Sequence, residues 1–124
     1  MAIDFNQIKE SSELIYDKVK SYREHLHRNP ELSYKEYKTS EFVSNTLSSL
    51  GIENTTIGDP GIVAIISGSH HAENAPCLAL RADLDALPIQ EQNDLPYKSE
   101  INGVMHACGH DVHTSILLGT AQII

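Results

Sequence analysis

The stretch Cys77-Leu78-Ala79-Leu80-Arg81-Ala82-Asp83-Leu84-Asp85-Ala86-Leu87-Pro88 decides how the chain is read. Cys77 through Ala82 is apolar at nearly every position, the pattern of a strand buried on both faces of a central sheet. Cys77 reads as a packing residue of that strand. Directly after it come two carboxylates, Asp83 and Asp85. Ligand sites of open α/β sheets gather beyond the carboxyl ends of strands. A carboxylate there can bind a metal, orient a histidine or act as a base. The competing reading is a solvated strand exit in which Arg81 pairs with one acid, because ion pairs also produce such clusters.

Upstream, Ile62 to Ile66 is a β-branched run between Gly61 and Gly68, which predicts another strand. Ser67 to Asn74 reads as a polar loop. Before it the periodicity is helical. Ile8, Ile15, Val19, Tyr22 and Leu26 recur at the spacing of one amphipathic helix from about Asp4 to Arg28. Asn29-Pro30 ends it, since the residue before proline avoids the helical region. Ser33-Tyr34-Lys35-Glu36 has the form of a capping box opening a second helix, which runs through Phe42, Val43, Leu47 and Leu50 to a C-terminal cap at Gly51. Downstream, Pro88 to Asn102 reads as a long irregular connection, a kind of segment that often carries function. Val112 to Ile124 reads as a third helix with Ile116, Leu117 and Ala121 on its buried face.

The densest reactive segment is Met105-His106-Ala107-Cys108-Gly109-His110-Asp111-Val112-His113. It holds four candidate metal ligands. Thiolate and imidazole suit borderline-soft divalent ions. Cys108 and His110, one residue apart, cannot share a helix face, but a turn at Gly109 can aim both inward. Asp111 can cap the following helix or hold an imidazole by its second nitrogen. His113 falls one turn after His110 and can reach the same pocket. A nucleophilic pair of Cys108 with His106 or His113 is the chemical competitor.

Composition narrows the classes. The chain has 124 residues, of which 40% are hydrophobic, enough for a core. Seventeen acidic against nine basic side chains give a net charge of -8. That charge disfavours nucleic acid and anionic membrane surfaces as partners. No apolar run approaches a membrane span, and the charged first twenty residues lack the form of a signal peptide, which predicts a cytoplasmic protein. Two cysteines make no disulfide framework.

Three segments together resemble the M20 metallopeptidase family, in its branch of hippurate hydrolases, N-acyl-amino-acid deacylases and auxin-conjugate hydrolases. They are His25-Leu26-His27-Arg28-Asn29-Pro30-Glu31-Leu32, Leu80 to Ile89, and Gly103 to Thr114. The resemblance spans Tyr22 to the C-terminus. It implies an α/β fold, with residues 1–124 forming the N-terminal part of a zinc-peptidase-like catalytic domain whose central sheet is flanked by helices. It implies that Cys108 and His110 bind metal and that Asp85 takes the active-site aspartate position. Asp83 stands where other branches carry a metal-binding histidine, so its role stays open. The implied cofactors are two divalent ions per complete site, with zinc, cobalt, nickel and manganese all admissible.

The implied reaction is metal-assisted hydrolysis of the amide of N-acyl or N-aroyl amino acids. A Glu-Glu pair, further histidines and a lid or dimerisation domain belong to the family's downstream part. Their absence here reads as an inactive fragment of a larger enzyme that can form a homo-oligomer. The rival readings are a non-catalytic remnant or metal- or partner-binding module, and a cysteine hydrolase using Cys108.

Overall fold

The structure, a computed structural model, describes residues 4–68 and 75–124. Helix α1 (Phe5–Arg28) is followed by α2 (Tyr37–Ser49), the strands β1 (Asn54–Ile57) and β2 (Gly61–Ala64), and α3 (His110–Ile123). The architecture is α/β.

Each element follows from local chemistry. The Asp4 carboxylate caps α1 by accepting from the amides of Asn6 and Gln7. The apolar stripe expected on α1 is there, but burial is graded along it. Ile8 is exposed, Ile15 and Val19 are half-buried, and Tyr22 and Leu26 are buried. The capping box expected at Ser33 does not form. Tyr34 adopts a left-handed backbone (φ 65°), and α2 starts at Tyr37 with no side-chain cap from Glu36. Glu31 does that work from outside the helix. Its carboxylate accepts from the Thr39 amide at 2.8 Å and the Thr39 hydroxyl at 2.9 Å, where negative charge suits a helix N-terminus. α2 does end with Gly51 left-handed (φ 76°).

β1 and β2 pair antiparallel, with Asn54 opposite Ala64 and Ile57 opposite Gly61. The expected strand at 62–66 therefore begins one residue earlier and stops at Ala64, where its partner runs out. β1 was not anticipated, although Thr55-Thr56-Ile57 carries a β-branched signal. The polar loop expected at 67–74 lies mostly outside the described residues.

The strand expected at Cys77–Ala82 is a correction. Those residues form no ladder, Cys77 is exposed rather than packed, and Leu78 is 82% exposed. An apolar run becomes a strand only when a neighbour satisfies its amides and carbonyls, and none does so among the described residues. The sheet among those residues is a two-stranded ribbon against α2.

The core is Tyr22, Val43, Leu47 and Leu118, with Phe42, Ile52, Ile62, Leu84 and Ala121 packed around it. Tyr22 and Phe42 meet edge to face at 5.9 Å. The buried face of α3 also differs from expectation. Thr114, Ser115, Leu118 and Gly119 are buried, while Ile116 is 57% exposed. Small residues face inward because α1 lies close against α3. A Cβ on Gly119 would stand 2.7 Å from Val19 Cγ2.

This contact sets a test. An alanine in a helix interior gains about 1 kcal/mol of propensity over glycine, but overpacking costs about 1–3 kcal/mol. Gly119→Ala should lower the unfolding free energy in urea by about 1 kcal/mol. The same change in a Val19→Ala background should raise it.

Candidate metal centre

Two stitched segments build the site. The amide of Ala86 donates to the Glu31 carbonyl at 2.8 Å, and Leu87 and Met105 exchange backbone hydrogen bonds at 2.9 and 3.0 Å. The carboxylate-bearing turn is thereby fixed beside the loop that leads into α3. That loop turns at Gly109, left-handed at φ 96°, which becomes the N-cap of α3. Open space surrounds the position of a Cβ there, so the backbone angle alone calls for glycine.

The turn brings His110 onto Asp85. His110 Nδ1 lies 2.9 Å from Asp85 Oδ1 and 2.9 Å from the Asp85 carbonyl. Both partners are acceptors, so Nδ1 carries the proton and donates. In the neutral ring the lone pair then sits on Nε2, the arrangement that carboxylates impose on metal-binding histidines.

Among the described residues, one group of three metal-capable donors lies within 4.8 Å of one another: Asp83, His110 and His113. Two imidazoles and a carboxylate fit zinc, cobalt or nickel. Of the residues singled out in the sequence, Asp85 and His110 are thus in direct contact. Cys108 is exposed and its thiol stands outside the group of three. His113 joins it from the next turn of the helix.

Behind the centre lies a buried polar network that the sequence reading did not find. Asp111 is 1% exposed. Its side chain accepts from the Val112 amide, as a helix start allows, but the imidazole it holds is that of His27, not of a candidate ligand. His27 Nδ1 is 2.7 Å from Asp111 Oδ2, and His27 Nε2 is 3.0 Å from Glu91 Oε1. Each ring nitrogen thus faces a carboxyl oxygen. Arg23 Nε pairs with Asp111 Oδ2 at 3.0 Å. Arg23 and His27 of α1 thus face the carboxyl groups of Glu91, in the 88–102 connection, and Asp111, in α3. The motif around His27 was visible, but nothing local to residue 27 points to partners at 91 and 111.

Burial pushes the Glu91 carboxyl up. Hydrogen bonds from His27, from the Ser99 amide at 2.6 Å and from Asn93 at 3.2 Å outweigh it and hold the group below its ordinary value. His106, 5% exposed, is pulled down by burial, with the charge of Asp111 opposing.

Residues 79–124 match Peptidase family M20/M25/M40. Thermostable carboxypeptidase 2 of Saccharolobus solfataricus is 47% identical over 121 residues, which is 96% of this chain and 29% of that protein. The N-acyl-L-amino acid amidohydrolase of Geobacillus stearothermophilus is 44% identical over 119 residues, 93% of this chain and 32% of that protein. The crystal structure of a dinuclear metal-binding peptidase of the M20 family from Bacillus subtilis superposes with a TM-score of 0.81 at 41% identity. It covers 89% of this chain and 30% of that one. The chain belongs to the M20 metallopeptidase family. It spans about a third or less of the length of these relatives. Among the described residues no helix is long and apolar enough to cross a membrane.

Two outcomes follow from the buried network. Asp111→Ala takes the carboxylate partner from Arg23 and leaves His27 held by Glu91 alone, and should cost about 3–5 kcal/mol in urea unfolding. Glu91 has a lowered folded-state pKa, so its stabilisation is complete above the unfolded value and is lost as pH falls through the folded one. Unfolding free energy should therefore decline below about pH 4.3, and Glu91→Gln should flatten that decline in a pH series of urea titrations.

Proposed function

We propose that this chain is part of the catalytic domain of a cytoplasmic, metal-dependent amidohydrolase that cleaves the amide bond of N-acyl or N-aroyl amino acids. The observation that carries this reading is the carboxylate–imidazole contact of Asp85 with His110, at 2.9 Å, beside a second carboxylate and a second imidazole. The names of the N-acyl-L-amino acid amidohydrolase and carboxypeptidase relatives support this choice of substrate class.

In this reading His110 and Cys108 are metal donors. Asp85 fixes the His110 tautomer and ring plane and keeps Nε2 basic. When bound, a pair of divalent ions would supply Lewis acidity at the acyl carbonyl and a lowered pKa for water. Cys108 adds a thiolate that suits zinc, cobalt or nickel. The network of Arg23, His27, Asp111 and Glu91 holds the first turn of α3, and with it His110, against thermal drift. Both carboxylates of the turn are engaged, Asp85 with His110 and Asp83 with Arg81. In this reading the 124-residue chain alone is without turnover.

The test uses the full-length protein. Release of free amino acid from N-acyl substrates should depend on divalent metal and vanish on Cys108→Ser. Asp85→Asn should cost roughly 10–100-fold in metal affinity or activity, the usual size of such an effect. Hydrolysis that survives both exhaustive chelation and Cys108→Ser would defeat the proposal.

A further inference from the structure

We propose that Asn102-Gly103 is a self-modifying site: the Gly103 nitrogen attacks the Asn102 carboxamide to form a succinimide, and Gln90 restrains the reaction by holding that nitrogen's proton. The inference rests neither on amide hydrolysis nor on metal binding.

The sequence supplies the reacting pair. Asn102 is followed by glycine, and no other asparagine of the chain is. Glycine lacks a Cβ, so its amide nitrogen is the least screened from attack on a neighbour. The fold sets the pair in a turn, closed by the Val104 amide donating to the Ile101 carbonyl at 3.2 Å. Gly103 stands third in that turn at φ 74°, where a type II turn calls for glycine. Asn102 is exposed, and its carboxamide makes no hydrogen bond among the described residues. Nothing lies within 4 Å of the place a Gly103 Cβ would take, so the turn has open space around it.

The chemistry needs only water. The Gly103 nitrogen loses its proton to solvent base and bonds to Asn102 Cγ. The bond from Cγ to the side-chain nitrogen breaks, and ammonia leaves with a proton drawn from water. Water then opens the ring at either carbonyl. Opening at the main-chain carbonyl gives isoaspartate, whose backbone runs through Cγ and is longer by a methylene. Opening at Cγ gives aspartate. Either product adds a negative charge.

Gln90 opposes the first step. Its Oε1 accepts from the Gly103 amide at 2.7 Å, and that hydrogen bond must break before the nitrogen can attack. The outcome matters because the turn lies between two anchors. On one side the Ser99 amide donates to the buried Glu91 carboxylate at 2.6 Å. On the other, Met105 exchanges backbone hydrogen bonds with Leu87. The added methylene of isoaspartate falls between them and loosens both.

The test is incubation of the 124-residue chain at mildly alkaline pH, read by peptide mass spectrometry and by isoaspartate-specific enzymatic methylation. The peptide containing Asn102 should gain the mass difference between amide and acid, and Asn102→Gln should abolish the gain. Gln90→Ala should react roughly fivefold faster, the factor that one neutral hydrogen bond supplies. Gln90→Glu keeps an acceptor and should react no faster than wild type. The isoaspartyl form, isolated by ion exchange, should melt below the Asn102→Asp variant, which has the same charge without the methylene. An Asn102 that stays intact in the folded chain while it converts in urea overturns the inference. So does Gln90→Ala reacting at the wild-type rate, or Gln90→Glu reacting as fast as Gln90→Ala. Equal melting of the isoaspartyl form and Asn102→Asp sinks the effect on the anchors.

Discussion

The pairing of His27 with two carboxylates is the interaction on which the rest of this structure depends. Asp111 and Glu91 come from parts of the chain that share no helix and no strand, and one buried ring joins both to α1. Burying a charge is tolerated only when its partners are well aligned, so the ring specifies one relative placement of the three segments. The apolar core is small, and apolar contacts lack direction. Directional contacts must therefore fix where α3 starts, and the start of α3 is where His110 stands.

Helices were legible because their signal is local. Asp4, the α1 stripe, Asn29-Pro30 and Gly51 act within a turn of where they stand. The capping of α2 was misplaced because its real cap, Glu31, sits eight residues before the amide it accepts from, and the left-handed Tyr34 redirects the chain between them. The buried face of α3 was misread for a related reason. Hydropathy marks Ile116 and Leu117, but the close approach of α1 selects Ser115 and Gly119, whose virtue is smallness rather than oiliness.

The apolar run at residues 77–82 shows the limit of pattern reading. Its composition states what environment would suit it, not which neighbour provides one. A strand is a relation between two segments, and among the described residues no second segment takes up its backbone. Leu78 and Leu80 remain exposed. The site survives this because it is anchored differently. Residues 86 and 87 are stitched to 31 and 105 by backbone hydrogen bonds, so the carboxylates are placed without the preceding strand.

At the site, legibility divides along the same line. Cys108, His110 and Asp85 could be picked out because their chemistry and their motif are local, and the contact between Asp85 and His110 follows once the turn at Gly109 is drawn. The imidazoles of His27, His110 and His113 have similar chemistry but different exposure. His27 is sealed between two acids with both nitrogens committed, so it can only hold structure together. His110 commits one nitrogen and offers the other. His113, exposed on the same helix, makes no side-chain hydrogen bond among the described residues.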